Sequence, residues 1–364
     1  MSVDGTEAAP AAEVVAAPPH YREAGAALWR VIAPARRILC PFHINADPDA
    51  VGSALGMRHL LTALGKEVTV VASDGDFPAI TAFLPGADGI ARYRGGPLPP
   101  ADLLLALDSS DLERLGDLSA ANAARFAAGP VVDIDHHVTN TRFGTGGANF
   151  VDPAAAATAE IVYLLARAWD LPVGRETATC LLAGVYGDTL GLQTPSTSPR
   201  TARVVADLLA AGADLPALVD NFYRSRPYKT AKLWGLVLAS AAWCGRVLWS
   251  EVTPDMLAEA GAEENDTGGV INFLSGVQGA RVTALLYRGA HEWRAGLRSP
   301  ADGVDVAAIA ARFGGGGHPR AAGCRIAGDE AARDAFLRTV DEMASRAVGR
   351  SGGRAAGLSS DTGQ

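Results

Sequence analysis

Short apolar runs alternate with helical patterns over the first part of the chain, up to about residue 220. The strands are predicted at 37–42, 67–72, 103–107 and 131–134, and the helices at 53–64, 158–169, 176–186 and 199–209. Ser198 precedes Pro199 at the start of the last helix, which is the usual order of an N-cap and a first helical residue. Strands that alternate with helices predict an α/β fold with a mainly parallel sheet, whose ligands gather beyond the carboxyl ends of the strands.

The sequence after residue 220 predicts a second, smaller α/β domain. Four cations and a proline between 221 and 232 indicate a link, which we assign to 221–235. Strand-like runs follow at 246–252, 280–287 and 292–298, with helices after them. Residues 1–20 and 349–364 lack apolar periodicity and are predicted to be disordered tails. The two domains are therefore expected at 21–220 and 236–348.

Charge and composition restrict the class of partner. The net charge of −8 argues against a long track for duplex DNA, because such a track needs a basic surface. No apolar run approaches the roughly 18–20 residues that cross a bilayer. The N-terminus lacks the pattern of a signal peptide, and the four cysteines show no CxxC spacing. These features predict a cytoplasmic enzyme that acts on a small substrate.

Aspartates and histidines recur where the apolar runs of the first domain end, and they form four short motifs. The motifs are His43-x3-Asp47-x-Asp49, Asp108 after Leu107, Asp135-His136-His137, and Asp188-Thr189. Carboxylates and imidazoles together are suitable ligands for a pair of divalent cations such as Mn²⁺ or Mg²⁺. A paired-metal site mostly indicates hydrolysis of a phosphoester, in which one ion activates water and both stabilise the developing charge.

Each of these motifs also has a purely structural interpretation. Asp47 and Asp49 lie in a predicted loop that Gly52 and Ser53 lead into a helix, and an aspartate there can simply cap the helix. Asp108 can be an ordinary polar end of a buried strand, and Asp188 can simply end a helix. Adjacent imidazoles at 136 and 137 point in different directions, so one can bind a metal while the other faces substrate, but the same residues can form a polar turn. We interpret Asp133 as structural.

The second domain contains a run of glycines from 314 to 317, followed by His318-Pro319 and then by 321–323, Ala-Ala-Gly. A flexible linker is one interpretation of such a run. Backbone N–H groups without side chains can instead approach a phosphate or a base closely, with His318 as a polar contact. The run is not a Walker A loop, because no Lys-Ser or Lys-Thr follows it. Arg298 ends a predicted strand and is a candidate for a bidentate phosphate contact.

In combination, these motifs resemble the DHH phosphoesterase superfamily, in the branch that carries a DHHA1 C-terminal domain. The resemblance extends from about Arg37 to Ile326 and is strongest to the nano-RNase and pAp-phosphatase enzymes. It implies a parallel-sheet DHH domain, a smaller α/β DHHA1 domain and an active-site cleft between them. It further implies hydrolysis of short oligoribonucleotides to mononucleotides and of 3′-phosphoadenosine 5′-phosphate to AMP, with two Mn²⁺ ions, or Mg²⁺, as cofactors.

The resemblance also implies a role for individual residues. His43 and Asp47 would bind one ion, Asp49, His136 and Asp188 the other, and Asp108 would bridge the two ions. His137 would contact the scissile phosphate and Asp135 would orient an imidazole. Arg298, Gly315, Gly316, Gly317 and His318 would bind substrate. The chain departs from the family where Leu190-Gly191-Leu192 replaces Gly-x-Phe, so the aromatic contact expected there is missing.

Other functions remain open at this point. Close relatives hydrolyse cyclic di-AMP or its linear product, and RecJ-type enzymes degrade single strands. A domain that binds nucleotides without hydrolysing them, or an oligomeric single-strand binder, would be alternatives from other classes. The acidic charge and the aromatic content of 6% argue against the last of these. We expect short RNA or small nucleotides as partners, no membrane or long DNA duplex, and allow a homodimer.

Overall fold

The computed structural model describes residues 14–300 and 304–351. The chain divides into two compact units, which meet in sequence between Ser225 and Arg226. Each unit has its own six-stranded sheet and its own apolar core. The predicted α/β class, with a parallel sheet in the first unit and a second sheet in the other, is therefore confirmed.

The first unit is built on a wholly parallel sheet. Its strands are β1 (Arg37–Phe42), β2 (Glu67–Ala72), β3 (Ala91–Arg92), β4 (Leu103–Leu107), β5 (Val131–Asp135) and β6 (Asn149–Val151). They pair in the order β3-β2-β1-β4-β5-β6. The strand order reverses direction between β1 and β4, and in open α/β sheets such a switch point is where ligands bind.

Helices cover both faces of this sheet. The helices of this unit are α1 (Pro19–Ile32), α2 (Pro48–Thr62), α3 (Asp117–Ala121), α4 (Ala123–Ala128), α5 (Thr158–Ala168), α6 (Arg175–Asp188), α7 (Pro199–Ala210) and α8 (Leu215–Val219). Residues of β4 alternate between two apolar clusters: Leu103 and Leu105 pack into the large core, and Leu104 packs into a smaller cluster on the opposite face. Burial on both faces explains why the strands of a parallel sheet are almost continuously apolar.

Helix α2 begins five residues earlier than the sequence pattern predicted. The Asp47 side chain accepts hydrogen bonds from the backbone N–H groups of Asp49 and Ala50, at 3.0 Å each, and Pro48 occupies the first helical position. The predicted loop through Asp49 is therefore wrong. Gly52 does not provide a turn into the helix but lies within it, where an added Cβ would be 2.4 Å from the Cys180 carbonyl oxygen of α6.

The second unit has a mixed sheet with helices packed against it. Its strands, in the order β11-β12-β10-β9-β8-β7, are β7 (Ala242–Cys244), β8 (Val247–Val252), β9 (Val282–Arg288), β10 (Glu292–Arg298), β11 (Gly316–His318) and β12 (Ala321–Ala327). Its helices are α9 (Tyr228–Ala239), α10 (Pro254–Ala260), α11 (Val270–Ser275), α12 (Val306–Ala311) and α13 (Glu330–Ser351). Only β8 and β9 pair in parallel among these strands.

The predicted tails and link differ from the structure. Residues 1–13 and 352–364 lie outside the described residues, but Val15 already donates its backbone N–H to Asp207, and α1 begins at Pro19. Most of the predicted link at 221–235 is helical, because the apolar side chain of Leu233 is buried in the core of the second unit. Within the described residues, no helix is both long and apolar enough to cross a bilayer.

A buried ionic cluster connects α5 and α7 in the first unit. The Arg200 guanidinium lies 2.5 Å from Glu160 and 3.0 Å from Asp152. Glu160 is fully buried and also accepts a hydrogen bond from Thr201. Tyr21 of α1 donates its hydroxyl to Asp152 at 2.5 Å. Arg200 is thus the cation that balances two carboxylates in the interior.

We expect Arg200→Met to lower the free energy of unfolding by about 3–5 kcal/mol, because it leaves Glu160 buried without its cation. Urea unfolding followed by circular dichroism measures this loss. Arg175→Met is the matched control, because the Arg175–Asp214 pair is largely exposed and contributes about 0–1 kcal/mol. Equal effects of the two substitutions would contradict a structural role for the buried cluster.

Candidate metal centre

The four sequence motifs of the first unit come together at the carboxyl ends of its central strands. His43 follows β1, Asp108 follows β4, and His136 follows β5. Asp108 has a φ of 57°, in the left-handed region that aspartate enters more readily than most residues. The start of α2 brings Asp49 to this edge of the sheet, and the end of α6 brings Asp188.

One group of potential ligands surrounds His43. Its Nε2 lies 3.8 Å from Asp47 Oδ2 and 3.6 Å from Asp108 Oδ2. Nδ1 is 2.8 Å from the Ile44 carbonyl oxygen and must donate to it, so Nε2 of the neutral ring carries a lone pair. This lone pair is buried, has no hydrogen-bond partner and faces carboxylate oxygens. A cation between these atoms would remove the repulsion.

A second group contains Asp49, His136 and Asp188. The Nε2 atom of His136 lies 3.2 Å from Asp188 Oδ2 and 3.5 Å from Asp108 Oδ1, again without a hydrogen bond. Potential ligand atoms of the group all lie within 4.8 Å of one another. Ligands of an octahedral ion at ~2.1 Å lie about 3 Å apart when adjacent and about 4.2 Å apart when opposite. The separations of 3.6 and 3.8 Å around His43 and of 3.2 Å between His136 and Asp188 therefore fit a divalent metal.

Asp108 belongs to the His43 group and also contacts His136 of the second group. Its Oδ2 faces His43, whereas its Oδ1 faces His136. The side chain is buried, so neither oxygen is balanced by bulk water. A carboxylate whose two oxygens face two different sets of ligands has the geometry that bridging between two ions requires.

The pKa values in the centre are shifted because several carboxylates lie close together. Burial and the neighbouring carboxylates of Asp108 and Asp188 raise the pKa of Asp47 to about 6 and raise that of Asp49 as well. Burial opposes the charged form of His136, but the close approach of Asp188 and the other acidic groups nearby raise its pKa to about 11. These shifts indicate excess negative charge that protons partly offset, and that bound cations can offset instead.

Helix α5 supports two of the potential ligands through its first turn. The backbone N–H groups of Thr158 and Ala159 donate to the two oxygens of Asp49, at 2.6 and 2.9 Å. The Thr158 hydroxyl donates to Asp108 Oδ1 at 2.9 Å. Thr158 therefore contacts Asp49 of the second group and Asp108, the carboxylate that lies between the two groups. Sequence analysis did not identify Thr158, because its partners lie 50 and 109 positions away.

A second support orients His137. Its Nδ1 lies 2.8 Å from Asp135 Oδ1, and the other oxygen of Asp135 accepts a hydrogen bond from the Asn140 amide at 2.8 Å. The same amide contacts Asp133 Oδ1 at 3.1 Å. Asp133 is buried, and burial raises its pKa to about 7. Sequence analysis did not identify Asn140 either, although it follows His137 by only three positions.

The candidate substrate residues of the second unit lie on its sheet. Arg298 pairs in register with Ala321 of β12, and Ala321 pairs with His318 of β11. Residues opposite each other in adjacent strands share a face, so the Arg298 and His318 side chains belong to one face at one level of the sheet. Asn272 accepts a hydrogen bond from Arg298 Nε at 3.2 Å, and burial lowers the pKa of the guanidinium.

The glycine run is part of the same sheet and is not a linker. Gly316 and Gly317 belong to edge strand β11, and Gly314 before them has a φ of 69°. A Cβ at Gly315 would be 2.1 Å from the Gly323 carbonyl oxygen, and one at Gly317 would be 2.5 Å from that of Ala321. These two glycines are needed for the close approach of the strands, whereas Gly316 has open space at its Cβ position.

Comparisons with known proteins agree with this architecture. Residues 37–185 match the model of the DHH family, N-terminal domain, and residues 245–346 match that of the DHHA1 domain. The bifunctional oligoribonuclease and PAP phosphatase NrnA of Thermus thermophilus is 36% identical over 84% of this chain and 89% of its own length. A probable manganese-dependent inorganic pyrophosphatase of Streptococcus mutans is 29% identical over 49% of this chain and 57% of its own.

A solved structure shows the same fold. An exopolyphosphatase-related protein of Bacteroides fragilis superposes with a TM-score of 0.81 at 23% identity, covering 90% of this chain and 98% of that protein. The two domain matches cover most of the described residues, and the identity to the Thermus relative extends across both units. The chain therefore belongs to the DHH–DHHA1 family of phosphoesterases.

Proposed function

We propose that the protein hydrolyses short oligoribonucleotides to mononucleotides and 3′-phosphoadenosine 5′-phosphate to AMP. The observation that carries this proposal is the position of Asp108, whose two oxygens face two separate groups of potential metal ligands. The substrate class comes from the Thermus relative, which is named an oligoribonuclease and PAP phosphatase. Four free cysteines suit a reducing compartment, so a cytoplasmic location is part of the proposal.

We assign two Mn²⁺ ions as cofactors, with Mg²⁺ as a possible substitute. His43 and Asp47 would hold one ion, Asp49, His136 and Asp188 the other, and Asp108 both. Imidazole and carboxylate ligands in one set suit Mn²⁺ better than Ca²⁺. When bound, such ions generate a nucleophile from water at neutral pH and stabilise the charge of the phosphoryl oxygens.

The residues around the metal centre would orient the reacting phosphate. Asp135, itself held by Asn140, fixes the ring of His137 through Nδ1. We assign His137 to the scissile phosphate on this basis. Arg298, Gly315, Gly316, Gly317 and His318 would bind the far end of the substrate. A guanidinium suits a terminal phosphate, and a few such contacts favour short chains.

Substrate choice within the family requires a direct comparison. The purified protein should be offered 3′-phosphoadenosine 5′-phosphate, di- to pentaribonucleotides and cyclic di-AMP side by side in Mn²⁺, with product analysis. Mononucleotides from the oligoribonucleotides and AMP from the first substrate are expected. Exclusive hydrolysis of cyclic di-AMP would replace the proposal, and efficient degradation of 20-mers would favour a RecJ-like exonuclease. Sedimentation of the same sample tests for a homodimer.

Removal of metal should abolish turnover. We expect protein treated with a chelator and then dialysed to lose activity, and Mn²⁺ to restore it better than Mg²⁺ or Ca²⁺, because of the mixed ligand set. Calorimetric titration of the stripped protein with Mn²⁺ should give a stoichiometry of about two. Full activity in protein that contains no metal by elemental analysis would refute the metal assignment.

Asp108→Ala should be the most damaging single change of a metal ligand. The variant is expected to lose at least ~10²–10³ in turnover while keeping its fold, the range seen when a principal electrostatic stabiliser is removed. Asp47→Ser is the comparison, because serine preserves the helix cap but removes one ligand of a single ion. The exposed Asp88→Ala is the surface control. If Asp47→Ser is inactive while Asp108→Ala is not, Asp108 does not bridge.

Loss of Arg298 or His318 should mainly affect binding. We expect Arg298→Ala and His318→Ala to raise KM on di- to tetraribonucleotides and to leave activity on p-nitrophenyl phenylphosphonate nearly unchanged. A remote contact contributes to substrate affinity without touching the chemical centre. Arg325→Ala, which removes an exposed arginine of the same sheet, is the control. Equal losses on both substrates would assign these residues to the fold or to the chemistry.

A further inference from the structure

The turn that follows Asp188 has an unusual backbone. Leu190, Gly191 and Leu192 have φ values of 50°, 73° and 68°, so three successive residues occupy the left-handed region. The Gly191 N–H donates to the Tyr186 carbonyl oxygen at 2.9 Å, and the Leu192 N–H donates to the Thr189 hydroxyl at 2.9 Å. Bulky residues adopt such φ values only where the surroundings impose them, and sites of this kind cluster near functional groups.

An aromatic side chain lies against this turn. The Tyr223 hydroxyl is 3.1 Å from the position that a Cβ at Gly191 would occupy. The positive φ favours glycine there, and a Cβ would require the tyrosine ring to shift by a few tenths of an ångström. Tyr223 comes from a π-helical turn at Asp220–Arg224, well separated from Gly191 along the chain. Single π-helical turns occur frequently at functional sites.

The Tyr223 ring is held between Phe222 and the turn at Gly191, and part of it remains exposed. Phe222 meets Tyr223 with a ring-centroid distance of 6.1 Å and meets Phe83 edge-on at 6.3 Å. Tyr223 itself is 40% exposed, and Leu190 on the same turn is 45% exposed. A flat ring that is held in place and partly exposed can stack on a planar ligand at little conformational cost.

The position of the turn connects it with the metal centre. Gly184 and Asp188, four residues apart, share one face of α6, and a Cβ at Gly184 would be 2.6 Å from Asp49 Oδ1. The turn at 190–192 directly continues this end of the helix, and hydrogen bonds to Tyr186 and Thr189 fold it back onto the last turn. Tyr223 is thus held against the end of α6 that supplies Asp188.

We propose that Tyr223, with Leu190 beside it, is a stacking platform for a nucleobase of the substrate. This inference rests on the proposed function, since it requires a nucleotide ligand. Every base has an apolar π-face, so a ring of this kind increases affinity without selecting a sequence. The contact would be made by the nucleoside next to the scissile phosphate, because the turn begins immediately after a metal ligand.

The test compares Tyr223→Ala and Tyr223→Phe on the diribonucleotide ApA and on an analogue in which one base is replaced by hydrogen, each base in turn. Tyr223→Ala is expected to raise KM for ApA about 5- to 150-fold, the effect of losing one stacked base, with kcat within about a factor of two. Tyr223→Phe keeps the ring and should remain near wild type. On one of the two base-deleted analogues, Tyr223→Ala and wild type should have equal KM.

Controls separate stacking from folding. Tyr228→Ala removes an 83% exposed tyrosine of the second unit and should leave KM unchanged. Thermal melts check the fold, and Tyr223→Leu, which retains an apolar contact with the turn but no flat ring, replaces the alanine variant if that variant is unstable. An unchanged KM for ApA in Tyr223→Ala or Tyr223→Leu would overturn the inference. The same would hold if the loss were equal on ApA and on both base-deleted analogues.

The result is distinguishable from a failure of the proposed function. Turnover of ApA by the wild-type protein reports on that function alone, and its absence would refute both proposals. If wild type hydrolyses ApA and the ring at 223 makes no difference, only the stacking platform is refuted.

Discussion

The close approach of helices α2 and α6 is the constraint on which the candidate metal centre depends. Gly52 lets α2 lie against the Cys180 carbonyl of α6, and Gly184 lets α6 lie against the Asp49 carboxylate. A Cβ at either glycine would collide with backbone or with a potential ligand. Helices that must approach so closely cannot shift relative to each other, so the first turn of α2 and the last turn of α6 are held at a defined separation. The distance between Asp49 and Asp188 is fixed in the same way, because these residues lie in those two turns.

Packing alone would not hold several carboxylates so close together. Hydrogen-bond donors of the same fold offset the repulsion between the carboxylates. They are the backbone N–H groups in the first turn of α5, the Thr158 hydroxyl, the Asn140 amide and the imidazoles. Buried carboxylates without such donors would be too costly to fold. The donors satisfy part of each carboxylate and leave further lone pairs, so the metal-free protein can fold with its ligands already oriented. The carboxylates are therefore oriented by the fold and still have lone pairs with which they can bind cations.

Sequence patterns predicted the sheet of the first unit and the residues that gather at its edge, because strand ends and apolar periodicity are local signals. Other features depend on contacts between distant segments. Asp47 followed by Pro48 is a typical helix start, but the motif was interpreted as a loop that binds metal, so the start of α2 was placed too late. Thr158 and Tyr223 carry no local signal, since each becomes meaningful only beside a residue far away in sequence. The glycine run was ambiguous for the same reason: only pairing with β12 distinguishes an edge strand from a linker.

All candidate metal ligands come from residues 43 to 188, within the first unit, whereas the Arg298 and His318 face belongs entirely to the second. Under the proposed assignments, hydrolysis and substrate recognition are encoded in separate stretches of the gene. A recombination event that exchanged the second stretch would give the same metal centre a different substrate range. Mutations that accumulate in the second stretch would leave the residues of the metal centre unchanged. Selection could therefore change the substrate specificity without changing the catalytic mechanism.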